Sequence, residues 1–227
     1  MQVYPLGQLL PCHSVFAGLP APKAHGASAA AAGSAPAQRI TAEQWQAVLS
    51  AGGVDSPSVG LCDGVAAAAA AAVDVAAQSV SSCDTFHAVK HAAAVVFEDH
   101  TWIASRTVTA VEYGCTVDAI TKLGSAMELK AGRGTVAASA VPEFTPAKPL
   151  VVLLVDQWGC LHAPHAQARS YLLENEMQDV VCIAHQHADA FLPEGAATCE
   201  LASDSAAVVC PVRALLPVMP DITFAKR

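Results

Sequence analysis

The sequence has 227 residues, of which 53% are hydrophobic and 5% are aromatic. That is enough for one sizeable domain with an arm, and its core must rely on Val, Leu and Ala because aromatic side chains are few. The formal net charge is −8, from 12 basic and 20 acidic residues with no visible cluster of Lys or Arg, so direct binding to a nucleic-acid backbone is disfavoured.

The cysteines and the apolar runs further limit which class of protein this can be. Eight cysteines occur without any Cys-x-x-Cys pair, and several lie in apolar runs, as Cys182 and Cys210 do. The sequence therefore predicts buried, reduced thiols that pack as small hydrophobes, not a disulfide framework. No apolar run reaches the roughly 18 to 20 residues that a spanning helix needs, so we expect no transmembrane segment.

The N-terminal stretch reads as an irregular, low-complexity arm, rich in Ala, Ser, Gly and Pro, that cannot bury a core of its own. Its first 38 residues contain no Asp or Glu, and Lys23 is their one Lys or Arg. A lack of acids is typical of organelle-targeting segments. It favours a mitochondrial location, with a cytoplasmic location as the alternative.

Helix signals follow the arm. Thr41 predicts the start of a helix, and Gly52 predicts its end. Asp63 is of the type that caps a second helix, whose alanine-rich sequence from about Gly64 to Ser79 favours helix strongly. The predicted divisions are an arm at 1–40, a helix and linker at 41–60, and one domain at 61–227.

The rest of the chain alternates apolar strands with helices. The run at 150–155 is apolar throughout, as in a buried central strand. This order predicts an α/β fold, a three-layer sandwich with a mixed sheet of about five strands covered by helices. The predicted strands are 92–97, 102–108, 150–155, 180–184 and 206–210, and the predicted helices are 115–130 and 164–176, with a short turn or helix at 212–216.

Four strings in this order resemble the cytidine deaminase family. The first is similar to the family's opening hairpin, an apolar strand that ends in a Glu-Asp-Gly turn. The second stands where the family has Asn-Val-Glu-Asn-Ala-x-Tyr, and Val108, Tyr113 and Gly114 match. The third resembles a Pro-Cys-x-x-Cys-Arg helix start, and the fourth resembles the closing Glu-Leu-Leu-Pro. The strings are residues 92–100, 107–114, 164–169 and 213–217.

The resemblance implies a zinc site and a proton-shuttling glutamate, which the family builds from Cys-x-Glu or His-x-Glu followed by Pro-Cys-x-x-Cys. In this sequence Ile120 stands at the glutamate position and cannot transfer a proton. Ala168 stands at a ligand position and has no donor atom. The other replacements are Asp118 at the first ligand position, His165 at a cysteine position, and Thr107 and Thr109 at the positions of the Asn and Glu that hold the ribose.

The sequence therefore predicts a deaminase-like domain that has lost its chemistry, with no catalytic residue, metal ligand or cofactor. We expect a structural or interaction subunit of a multi-subunit complex, whose partners are other protein subunits, such as a deaminase-like paralogue or a second copy. The acidic charge favours a respiratory-type complex over a ribosome. Two alternatives stay open: a nucleoside-binding module with a pocket around Thr107, Asp118 and His165, and a zinc-dependent hydrolase with a reworked site. The hydrolase would use Asp118, His165 or the Cys160/His162 group.

Overall fold

The structure is a computed structural model, and it describes six stretches of the chain. Of the predicted arm at 1–40, residues 1–39 lie outside the described residues, and Ile40 is buried in the core. The family-matching Tyr113, Gly114, Leu216 and Pro217 also lie outside the described residues. The described stretches are 40–78, 89–109, 116–130, 147–185, 197–202 and 205–215.

The first helix, α1 (Ala42–Ala51), starts and stops where the sequence predicts. The Thr41 side chain accepts a hydrogen bond from the N–H of Gln44 at 3.3 Å, and the Thr41 N–H donates to Gln44 Oε1 at 2.8 Å. This reciprocal pair is a capping box, and it satisfies two backbone donors that the first turn leaves free. Gly52 forms the other end of the helix.

The second helix, α2 (Val59–Ala77), begins earlier than predicted. Its N-cap is Ser58, whose Oγ accepts from the N–H of Leu61 at 3.1 Å, and the predicted cap Asp63 lies exposed inside the helix. The earlier start makes α2 long and apolar enough to span a membrane by length and composition, with a mean hydropathy of 1.6. Half of that stretch is buried in the structure, as expected for a helix that covers a sheet.

One mixed sheet forms the centre of the described part. Its order is β2-β1-β3-β5-β7-β6, with β4 paired to β3. The β3–β5 pair is parallel and the other pairs are antiparallel. The two strands that the sequence did not predict are the two-residue β4 and the edge strand β6. The strands are β1 (His91–Phe97), β2 (Trp102–Arg106), β3 (Pro149–Asp156), β4 (Leu161–His162), β5 (Val181–His185), β6 (Ala197–Ala202) and β7 (Ser205–Pro211).

Helices cover both faces of this sheet, which confirms the three-layer α/β class. Successive side chains of a strand point to opposite faces. Along β1, Ala92 and Val96 accordingly pack in one core with α1 and α2, whereas Ala93 and Val95 pack in a second core. The second core is formed with α3 (Ala119–Lys130), α4 (Ala166–Glu174) and a short 3₁₀ helix (Val212–Leu215).

Four of the eight cysteines have described side chains, and three of these four are buried as the sequence predicts. Cys62, Cys182 and Cys210 are free and buried, and burial raises the pKa of each thiol. Cys160 is free and half-buried in the turn between β3 and β4.

Candidate functional site

The predicted site positions meet at the end of the sheet where β1 begins. The N–H of Thr107 donates to the carbonyl of His91 at 2.9 Å. Val108 then forms a β-bridge with Val117, with N–H···O distances of 2.9 and 3.0 Å, and Asp118 follows directly. The backbone thus brings the start of the string at 107–114 close to Asp118, the predicted first ligand position, at one end of β1.

Asp118 caps helix α3. Its Oδ1 accepts hydrogen bonds from the N–H groups of Ile120 and Thr121 at 2.8 and 3.3 Å. This cap explains why the helix begins at Ala119 and not at 115, as the sequence predicts. The side chain is 6% exposed, and its Oδ2 has no hydrogen-bond partner within the described part of the chain. The side chain at the first ligand position therefore accepts hydrogen bonds from the backbone of its own helix.

Ile120 and Ala168 lie in the apolar interior. Both are 0% exposed, and both belong to the core between the sheet and helices α3 and α4. Ala93 and Val95 of β1 are part of the same core. The positions where the resemblance places a proton shuttle and a metal ligand are therefore filled by packed hydrocarbon.

The remaining predicted positions are less deeply buried. Thr107 and Thr109 are half-buried at the end of β2. His165 is exposed and forms the N-cap of α4, where its side chain makes no capping hydrogen bond. Its ring instead packs edge-on against His91, with 5.2 Å between the ring centroids.

His91 joins His165 and His162 in a group that we term the imidazole cluster. The ring of His162, on β4, also packs edge-on against His91, at a centroid distance of 5.1 Å. The three residues come from the start of β1, from β4 and from the N-terminus of α4. Sequence reasoning missed His91, because nothing near it in the chain reveals that β1 lies beside β4 and α4.

Asp156 supplies the carboxylate of this group. Its Oδ2 lies 2.9 Å from Nε2 of His162, and its Oδ1 accepts from the N–H groups of Trp158 and Cys160, both at 2.9 Å. Burial alone would raise the pKa of Asp156, but these hydrogen bonds outweigh it and hold the pKa below its usual value. The sequence signal for Asp156 is a carboxylate that directly follows an apolar strand.

The surroundings shift the neighbouring groups toward their neutral forms. Burial, together with the nearby His162 and His165, lowers the pKa of His91 from 6.5 to about 4, although the Asp156 carboxylate acts in the opposite direction. Burial and the same carboxylate raise the pKa of Cys160 to about 11. Cys160 is thus a protonated thiol at neutral pH and lacks the thiolate that a nucleophile needs.

The side chains do not fit the zinc that the resemblance implies. A catalytic zinc needs three protein ligands, and Ala168 has no donor atom. Within the described stretches, no group of three or more His, Cys, Asp or Glu side chains could hold a metal ion, and this includes Cys160, His162 and His165 as they are placed.

The sheet and the helices on its two faces define a three-layer α/β sandwich. A solved cytidine deaminase from Mycobacterium leprae is similar to this chain, with 22% identity and a TM-score of 0.38, over 51% of this chain and 82% of that chain. A cytidine deaminase from Mycobacterium tuberculosis is similar at 20% identity and a TM-score of 0.38, over 51% and 80% of the two chains. No protein-family model and no curated protein matches the sequence. The likeness concerns the fold alone.

Proposed function

We propose that this chain is a non-catalytic, deaminase-like subunit with a structural or interaction role in a multi-subunit complex. The observation that carries the proposal is the complete burial of Ile120 and Ala168 in one apolar core. Zinc activates the water in deaminases, and a glutamate moves the protons. A core that occupies both positions leaves no place for either group.

Exposed apolar side chains near the edge of the sheet support an interaction role. Trp102 on the edge strand β2 is 39% exposed, and the bridged residues Val108 and Val117 are 40% and 37% exposed. Contiguous apolar side chains at a surface favour contact with another protein, and the bridged pair Val108 and Val117 is contiguous. We expect the partners to be protein subunits, either a deaminase-like paralogue or a second copy, in a mitochondrial complex of the respiratory type.

Three measurements on the purified full-length chain test this proposal together. We expect no conversion of cytidine or deoxycytidine, less than about one-tenth equivalent of zinc when no chelator is used, and co-purification with protein partners from mitochondria. Turnover of either nucleoside, or one equivalent of zinc, would contradict the non-catalytic part. A monomer that co-purifies with no protein would contradict the interaction role.

A nucleoside-binding role is the second candidate, and the unsatisfied atoms of α3 favour it. Asp118 Oδ2 and Thr121 Oγ1 are buried and have no hydrogen-bond partner among the residues that the structure describes. Buried polar atoms of this kind are destabilising by about 1 to 3 kcal/mol each until a donor reaches them, and an N–H group of a bound base is such a donor. Calorimetric titration with cytidine, uridine and deoxycytidine tests this role. Heat release that disappears in Asp118→Ala supports it, and flat titrations of the native chain reject it.

A further inference from the structure

Strand β2 forms one edge of the sheet, and its pairing with β1 fixes which backbone groups face outward. Thr107 donates its N–H to β1, whereas Val108 exchanges hydrogen bonds with Val117 on the outer side. Because these directions alternate along an antiparallel strand, Trp102 and Ala104 also turn their N–H and C=O groups away from β1. No described residue pairs with these outward groups, so they form an open edge.

The two edges of the sheet differ in how they are guarded against a further strand. Natural edge strands are commonly guarded by a β-bulge, a proline, a lysine or an inward-pointing charge. The edge strand β6 has a register shift between Glu200 and Ala202, and it carries an acidic residue. Strand β2 pairs with β1 without a register shift, and its sequence Trp-Ile-Ala-Ser-Arg contains no proline, lysine or acidic residue. β2 is therefore the edge that is open to pairing.

The backbone groups and side chains of β2 are complementary to a second copy of β2 in antiparallel orientation. With Ile103 on a two-fold axis, Trp102 of each copy stands opposite Ala104 of the other, and the opposed residues exchange both backbone hydrogen bonds. The large Trp102 side chain, which is 39% exposed, then faces a small one. The two Ile103 side chains form a β-branched pair where the strands approach most closely.

This register also fits the ends of the strand. Val117 already occupies the outer side of Val108, and a pair centred on Ile103 ends before it reaches that bridge. A pair centred one residue later would run into the bridge. The exposed turn at 98–100, which contains a glutamate and an aspartate, lies beside Arg106 of the other copy in this arrangement. Opposite charges therefore meet at both ends of the paired strands.

We propose that two copies of the chain dock through β2, in an antiparallel pair with Ile103 on the two-fold axis, so that one continuous sheet runs through both. This dimer rests on the interaction role proposed above, and it selects a second copy as the partner. Each copy covers the exposed Trp102 of the other and satisfies its outward backbone groups. Addition of a strand to an open sheet edge is a recurring mode of protein recognition, in which main-chain hydrogen bonds supply the affinity.

A cysteine at the axis tests the register in the full-length chain. The Cα atoms of a closely opposed antiparallel pair lie about 4.5 Å apart, within the roughly 4.4 to 6.8 Å that a disulfide spans. We expect Ile103→Cys to give a disulfide-linked dimer when a thiol oxidant such as diamide is added. Ser105→Cys is the matched control, because the two copies of this residue would lie more than about 13 Å apart and should not link. The native chain under the same oxidation gives the background from its own cysteines.

Sedimentation of the full-length chain at about 1 to 100 µM measures the dimer without a cross-link. Ala104→Pro removes an outward N–H and no bond to β1, and proline is tolerated at such edge positions. It should weaken the dimer by about 30-fold, because one hydrogen bond is lost on each side of the axis and each contributes about 5-fold. Trp102→Lys is the second variant and should weaken the dimer by at least about 10-fold. Gln46→Lys adds the same charge on the exposed side of α1, which contacts β6 and β7 near the opposite edge, and should leave the dimer unchanged.

Three results overturn the pairing: a monomer at about 100 µM, native dimer affinity in the folded Ala104→Pro and Trp102→Lys variants, or equal linking of Ile103→Cys and Ser105→Cys. A monomer that still co-purifies with another protein overturns the pairing and leaves the interaction role in place. A β2-paired dimer that deaminates cytidine supports the pairing and contradicts the proposed non-catalytic function, so the two failures are distinguishable.

Discussion

Replacing Ile120 with glutamate restores the residue type that the deaminase resemblance places at this position. In this protein the side chain is 0% exposed and packs in the core with Ala93 and Val95. If that core excludes water, the new carboxylate must either stay charged without solvation or remain protonated at neutral pH. The substitution therefore distinguishes a filled core from a vacant catalytic pocket.

The expected loss of stability has two parts. Removing a buried Ile side chain down to alanine destabilises by about 2 to 5 kcal/mol, and the methylenes of glutamate restore part of this. Full burial can raise the pKa of a carboxyl by about 3 to 5 units, which corresponds to about 4 to 7 kcal/mol at neutral pH. A loss of at least about 4 kcal/mol is a large fraction of the 5 to 15 kcal/mol that domains of this kind have.

Urea unfolding, followed by the fluorescence of the buried Trp45, measures this loss. The glutamate pKa is raised in the folded state, so the variant should be most stable at low pH and should lose stability as the pH rises above about 4.3. Ile120→Val should lose about 0.5 to 1.5 kcal/mol, and Val117→Glu at a 37% exposed site should lose about 0.5 kcal/mol or less. An Ile120→Glu variant within 1 kcal/mol of the native protein, about the typical effect of any substitution, would refute the filled core.

Three further substitutions probe the fold by the same urea assay. Thr41→Ala removes the capping box of α1 and should destabilise by about 1 kcal/mol, and a loss below about 0.3 kcal/mol would show that the cap is not formed. Gly124→Ala places a Cβ 2.6 Å from the Tyr171 hydroxyl and should destabilise by about 1 to 3 kcal/mol. Adding Tyr171→Ala to the same chain should reduce this loss. If the effects of the two substitutions are simply additive, the contact between them is contradicted. Asp156→Asn should destabilise by about 1 to 3 kcal/mol at pH 7. Because the folded pKa of Asp156 lies below its usual 3.8, its contribution is present above that pH and lost as the pH falls further, so the native chain and the variant should converge in acid.

Local chemistry decided some elements of this fold. Thr41 and Gly52 predict both ends of α1 because a hydroxyl cap and a glycine stop act within one helical turn. For α2 the sequence predicts Asp63 as the N-cap, and this prediction is wrong because the Ser58 hydroxyl caps the helix about one turn earlier. The structure favours Ser58, because the helix then begins before Leu61 and includes this side chain among those that it buries against the sheet.

The sequence by itself determined the α/β class and the residue types at the positions that the resemblance assigns, because periodicity and residue type are properties of the chain alone. That Ile120 and Ala168 share one core was decided by tertiary structure, since burial depends on which helices pack over the sheet. The imidazole cluster has the same origin: the antiparallel β1–β3 pairing sets His91 opposite Asp156, and the turn into β4 returns His162 to both. Contacts between such distant positions arise from the register of the strands, and residue spacing along the chain carries no record of them.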